Sequence, residues 1–194
     1  MVRLLCTLLA LFFSIAGGWA QDGSAPERVQ VMVKRTHQDG NAVFNVQADG
    51  YTHASPQRAW QVLTDYERLP EFVPNLQASK LVSRDGDGIV LEQQSRAGFL
   101  FVKQDIHLVL RVTEHPFSAI DITLVSGDMR QYAGRWEIAP VRVNGNDGTR
   151  IRYVGQMEPD FLVPPLVGNA FIAHDVKRMV EAVVSEIDSA ARDK

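Results

Sequence analysis

The sequence predicts an α+β fold in which a curved antiparallel β-sheet wraps around a long C-terminal α-helix, with two short helices after the first strands. Three observations carry this. Apolar and polar residues alternate at period two along most of the chain between positions 29 and 159, the spacing of strands with one buried face. Helical signals interrupt the alternation only between about 55 and 74. Near the C-terminus Ile172, Val176, Met179, Val180, Val183 and Ile187 step by 4, 3, 1, 3 and 4, which lays one apolar stripe along a helix. A single helix stripe and a single sheet face bury each other most economically when the sheet bends around the helix.

The 194 residues suffice for one domain with its own core. Hydrophobic residues make up 45% and charged residues 22%, ordinary values that exclude disorder, collagen-like sequence and coiled coil. The formal net charge of −3 argues against a nucleic-acid binder that relies on bulk positive charge.

Residues 1–20 read as a secretory signal: Arg3 is a short basic start, Leu4–Ile15 is apolar apart from Thr7 and Ser14, and Gly17-Gly18-Trp19-Ala20 places small residues before the Ala20–Gln21 bond. The apolar run is shorter than the roughly 20 residues that span a bilayer. Cleavage after Ala20 is expected to leave a soluble periplasmic or secreted protein of charge −4. It would also remove the single cysteine, Cys6, so the mature chain would lack disulfides, thiolate metal ligands and a cysteine nucleophile.

Residues 21–27 (QDGSAPE) form a polar leader, and 28–191 the domain. Val29, Val31 and Val33 begin a strand that turns at Asp39-Gly40, a strong hairpin signal, and returns over Ala42–Thr52. Ser55-Pro56 pairs an N-cap with a proline at the first helical position, and Ala59, Trp60, Val62 and Leu63 give that helix a buried stripe up to Asp65. Pro70–Val73 is a second helical turn, closed by Pro74-Asn75. Six strands follow: Ala78–Arg84, Ile89–Ala97, Phe99–Glu114, Ala119–Val125, Met129–Pro140 and Thr149–Pro159. They are separated by Asp85-Gly86-Asp87-Gly88, an apolar tip at Phe99-Leu100-Phe101, His115-Pro116, Ser126-Gly127-Asp128 and the loop 144–148. The final helix follows Pro164-Pro165. A long helix across a bent sheet leaves room for an apolar cavity, and Gly134, Gly155 and Ala97 beside large residues permit one.

The stretch Ala54-Ser55-Pro56 through Trp60-Gln61-Val62-Leu63-Thr64-Asp65-Tyr66-Glu67-Arg68-Leu69-Pro70-Glu71-Phe72-Val73-Pro74-Asn75-Leu76 resembles a motif of the START-like helix-grip superfamily (SRPBCC), in its polyketide cyclase/dehydrase and coenzyme Q-binding START group. Gly134-Arg135-Trp136 and Phe161-Leu162-Val163-Pro164 are similar to weaker habits of that group. The resemblance covers about residues 42–190. It implies a hollow domain that binds a lipid, quinone, sterol or polyketide, without fixing which, because the fold hosts carriers, cyclases and sensors alike.

His37, His53, His107, His115 and His174 show no metal-ligand spacing, and there is no Gly-x-Ser-x-Gly, phosphate loop or dinucleotide fingerprint. No catalytic residue, metal or cofactor is therefore expected. The candidate ligand-binding residues are Trp60, Tyr66, Phe72, Trp136, Tyr153 and Phe171, large side chains on apolar faces. Tyr66 has two readings, a hydroxyl at a pocket mouth or a ring packed on the sheet. Arg135 and Arg152 are read as outer-face charges. The expected partner is a hydrophobic small molecule, and the Phe99-Leu100-Phe101 tip has two readings, a lid or loop in transient membrane contact or a tip tucked inward. The competing readings are a cyclase/dehydratase-type enzyme using the same cavity and an interaction module with a filled core.

Overall fold

The computed structural model describes residues 28–85, 88–99, 102–143, 145–161, 163 and 167–189. The signal segment 1–20, the leader 21–27, Gly86-Asp87, Leu100-Phe101, Asn144, Leu162 and Pro164-Pro165 lie outside the described residues. The elements are β1 (Val29–Gln38), β2 (Asn41–Thr52), α1 (Pro56–Thr64), α2 (Leu69–Phe72), β3 (Leu76–Asp85), β4 (Gly88–Phe99), β5 (Val102–His115), β6 (Ala119–Gly127), β7 (Met129–Val143), β8 (Asn146–Pro159) and α3 (Gly168–Ser189). All eight strands join one antiparallel sheet in the order β1-β2-β8-β7-β6-β5-β4-β3. The sheet is curved, and α3 lies in its concavity.

Local chemistry sets the turns. Gln38 pairs with Asn41 around Asp39 and Gly40, which take φ of 50° and 83°, the left-handed pair that a two-residue hairpin demands. Ser55 caps α1 by accepting the Arg58 amide at 3.3 Å through its hydroxyl. Asn75, at φ 67°, turns the chain out of the α2 region into β3, a conformation asparagine tolerates better than most residues.

Two strand boundaries differ from the sequence expectation. Phe99 ends β4 and pairs with Val102, rather than opening β5, because a tight hairpin needs only two residues at its tip. Likewise β7 and β8 run on to a Val143–Asn146 pair with Gly145 at φ 82°, so the loop expected over 144–148 shrinks to the tightest turn that its Asn-Gly sequence permits.

The helix stripe is buried as its spacing predicts: Ile172, Val176, Val180, Val183 and Ile187 are buried, and so is Val184. This face packs on β1, β2 and α1. It comes closest at Gly50, where a Cβ would stand 2.9 Å from Val184 Cγ2 and 3.0 Å from Val180 Cγ1. Here the missing side chain is what lets helix and sheet approach. The C-terminal end of α3 is fastened by polar contacts: Thr52 donates its hydroxyl proton to Asp188, Arg28 pairs with Asp188, and Arg68 pairs with Glu186.

Opposite the helix, the convex face carries a ladder of charges. Asp49 on β2 meets Arg152 on β8 at 2.9 Å, and Arg152 stands opposite Glu137 on β7. Glu137 meets Arg135 at 3.4 Å, Arg135 meets Asp121 on β6 at 2.5 Å, and Asp121 meets His115 at 2.8 Å. Arg135 and Arg152 thus lie on the outer face, as expected. Burial opposes the charge on Asp49, yet the Arg152 hydrogen bond and neighbouring guanidiniums outweigh it and hold this carboxyl below its ordinary pKa. Asp121 shows the same balance, with Arg135 and His115 prevailing over burial.

Candidate functional site

The concave interior is built from two apolar clusters. The larger joins α3 to β1, β2, β8, β7 and the two short helices, and includes Phe44, Val46, Ile151, Trp136 and Tyr153. The smaller centres on Ile106, Leu108 and Leu110 of β5, with Ile122, Leu124, Met129, Tyr132 and Phe161 packed against them. Ile122 touches both. The described members of the smaller cluster include no residue of α3, so this apolar wall faces into the concavity without a helix partner among the described residues.

All six candidate ligand residues belong to the larger cluster: Tyr66, Trp136 and Tyr153 are buried, while Trp60, Phe72 and Phe171 are partly buried. Within it they separate into three places. Trp60 and Tyr66 sit at the end of the sheet where α1 lies. The Trp60 ring packs on Phe117 of the β5–β6 turn at 5.7 Å, and the Tyr66 hydroxyl donates to Glu114 Oε1 at 2.8 Å. Glu114 is also 3.6 Å from Arg84. The Tyr66 hydroxyl therefore has a protein partner, and burial together with the Glu114 carboxylate pushes its pKa well above the ordinary value.

Phe72 and Phe171 lie toward the opposite end, where the exit of α2 meets the start of α3. Asn75 donates to Asp175 Oδ1 there at 3.3 Å, and Phe171 stands one helical turn before Asp175. Burial raises the Asp175 carboxyl above its ordinary value, with His174, Arg178 and the Asn75 bond opposing it.

Trp136 and Tyr153 form the third place, the wall between. They are opposite each other on β7 and β8, and their rings stack at 4.9 Å with a tilt of 49°, within the range of favourable aromatic pairs. Here the structure corrects one sequence expectation. Gly134 and Gly155, read as openings for a void, are cross-strand partners covered by the Tyr153 ring. A Cβ on Gly155 would stand 2.7 Å from the Tyr153 hydroxyl oxygen, and one on Gly134 would stand 3.3 Å from the ring. The two glycines make a bed for an aromatic side chain that leans along its own strand. Ala97, named with them, has a side chain outside the described residues.

Three polar residues on the concave wall were not singled out from the sequence. Tyr132 brings its hydroxyl to 3.0 Å from that of Tyr153, and burial raises the pKa of both phenols. Gln93 of β4 donates to the hydroxyl of Ser79 on β3 at 3.1 Å. Gln93 stands opposite Leu108 and Ser79 opposite Gln93, which turns both toward the concave side. Parity was the available signal: Tyr132 is two residues from Gly134 and four from Trp136, and Gln93 is two from buried Leu91. Among the described residues no group of three His, Cys, Asp or Glu side chains is placed to hold a metal ion, and no helix is long and apolar enough to cross a membrane.

The family described as polyketide cyclase / dehydrase and lipid transport matches residues 52–184. The chain belongs to that family. The match begins at the end of β2 and runs through most of α3, so it takes in the whole of the smaller apolar cluster, most of the larger one and all six candidate residues. Solved structures of the same fold include the STAR-related lipid transfer protein of Xanthomonas axonopodis, 15% identical, covering 84% of this chain and 96% of that one at a TM-score of 0.64. A START superfamily protein of Mycobacterium smegmatis is 19% identical over 74% of this chain and 96% of its own, at 0.62. The Zhui aromatase/cyclase of Streptomyces sp. R1128 is 11% identical over 77% and 94%, at 0.59. Comparison with curated proteins gives no match. At these identities the structural likenesses show the fold alone, the helix-grip architecture that the sequence motif implied.

Proposed function

We propose that this protein is an exported carrier that holds a hydrophobic small molecule, such as a lipid, quinone or polyketide-like compound, between α3 and the concave face of the sheet, without catalysis. The observation that carries this reading is the separate apolar cluster of Ile106, Leu108 and Leu110 on the concave face, which is buried by Ile122, Leu124, Met129, Tyr132 and Phe161 and contains no described residue of α3. An apolar ligand seated between that cluster and α3 would gain about 25 cal/mol for each Å² of its own apolar surface that it buries, before the costs of binding. One structure with this fold is named a lipid transfer protein, in line with carriage, and another an aromatase/cyclase, in line with the alternative of cyclase chemistry in the same cavity.

Export rests on the three-part signal at residues 1–20, and ligand exchange at a membrane rests on the apolar Phe99-Leu100-Phe101 sequence.

The test is native mass spectrometry of protein recovered from the soluble external fraction of its own organism, followed by lipid extraction. One bound lipophilic molecule per chain and a mature N-terminus at Gln21 are expected. An intact Met1 would overturn export. A ligand-free protein that also fails to take up a fluorescent fatty or quinone probe would overturn the carrier reading in favour of an interaction module.

A further inference from the structure

Tyr132 and Tyr153 bring two phenolic hydroxyls to 3.0 Å on the concave wall. Two hydroxyls hold two protons, and their mutual hydrogen bond uses one of them. The second O–H has no acceptor among the described residues. Among the described residues no charged side chain acts on either group: besides burial, the influence on each hydroxyl is the other. Their surroundings are apolar, with Leu124, Met129 and Phe161 packed in the cluster of Tyr132 and Trp136 stacked on Tyr153. Tyr153 is buried and Tyr132 partly buried, a donor left without an acceptor there costs free energy, and the position of the pair is fixed, because the Tyr153 ring lies on the Gly134–Gly155 bed.

We infer that the Tyr132–Tyr153 pair is the polar anchor of the ligand site and donates its free O–H to a carbonyl oxygen, that of a ketone, quinone or ester, on an otherwise apolar and uncharged molecule. The inference rests on the carrier reading above and narrows it to a ligand class. A carbonyl supplies the missing acceptor and brings no proton of its own. An alcohol or a water molecule would bring further protons, for which the phenolic oxygens of the pair are the acceptors among the described residues. A carboxylate would be buried without a cation, which is far costlier. Because the donor is already in place, its orientation is not charged against affinity.

Isothermal titration calorimetry with three probes of one shape tests this: 2-acetylnaphthalene, 2-isopropylnaphthalene and 2-naphthoate. Wild-type protein should bind the ketone about fivefold to tenfold more tightly than the hydrocarbon, the size of one net hydrogen bond, and the carboxylate most weakly. The double variant Tyr132→Phe, Tyr153→Phe keeps both rings and should lose the preference for the ketone while keeping its affinity for the hydrocarbon. Equal binding of ketone and hydrocarbon by the wild type overturns the inference, as does a preference that survives in the double variant or tighter binding of the carboxylate. Should the variant not fold, the carbonyl stretch of 2-acetylnaphthalene bound to the wild type decides: a shift to lower wavenumber than in hexane is expected, and an unshifted band overturns the assignment. If none of the probes binds, the carrier reading itself fails and this inference with it.

Discussion

Single positions in this protein act mainly through what lies on top of them. Gly155→Ala places a methyl group 2.7 Å from the Tyr153 hydroxyl oxygen, so the ring must lift from its bed. The expected loss is about 1–3 kcal/mol, the usual cost of overpacking, seen as a lower thermal midpoint, and an unchanged midpoint would show that the ring does not rest there. Asp175 gives an effect of opposite sign. Burial raises its carboxyl above the ordinary value of 3.8, so its ionised form is less stable in the folded chain than in the unfolded one. That penalty is present above the folded pKa and absent below the unfolded value. Asp175→Asn should therefore be more stable than wild type in urea at pH 7, with the two converging below pH 3.8; a variant that is weaker at pH 7 would reverse the sign argued here. Part of the candidate site was legible at this scale. The alternation Gly134, Trp136, Ile138 marked Trp136 as inward, and Ile151, Tyr153, Gly155 did the same for Tyr153. The hydroxyl pair was not legible, because Tyr132 and Tyr153 meet only through the β7–β8 register, and register is fixed by a turn that the sequence had placed too generously.

At the scale of elements, α3 and α1 show how much the sequence determines. The stripe in α3 was readable because 3.6-residue periodicity persists over many turns, and Val183 sits at its centre, 1% exposed. Val183→Asp buries an unpaired carboxylate at a cost of several kcal/mol, comparable with the whole stability of a domain. The far-ultraviolet circular dichroism signal should collapse at 25 °C, and a native spectrum would mean that α3 is not seated on β1 and β2. For α1 the Ser55-Pro56 signal gave the start to the residue, and Ser55→Ala should cost about 1 kcal/mol through the lost cap, measurable by urea titration. Strand ends were less legible. Alternation continues through a tight hairpin without a break, so Phe99 and Val143 had to be placed by pairing rather than by pattern. Gly50 could not be singled out either: a glycine in a strand reads as a weakness until the helix that needs the space is seen above it.

Across the whole molecule, the convex ladder links five strands through alternating charge. The Arg152 hydrogen bond and neighbouring guanidiniums hold the folded pKa of Asp49 below its ordinary value of 3.8, so its contribution to stability is complete above that value and is lost as the pH falls through the folded pKa. The gap between wild type and Asp49→Asn should be widest near neutral pH and close under acid, as measured by urea unfolding at pH 7 and pH 3. A gap that stays constant would show that Arg152 does not discriminate the ionised carboxylate. The strand order has a different kind of consequence, for the time the chain takes to find its fold. Six of the seven neighbour pairings in the sheet join strands consecutive in sequence, and only β2–β8 joins distant ones. The six are local closures that form quickly, whereas β2–β8 brings together residues such as Ala48 and Tyr153, about a hundred positions apart, and must close a long loop before any of its contacts reward the effort. The sheet can therefore grow from β3 to β8 as a meander and wait for the β1–β2 hairpin to dock. Until it does, the surface on which α3 rests does not exist, and the apolar stripe of that helix stays exposed to solvent and to other chains.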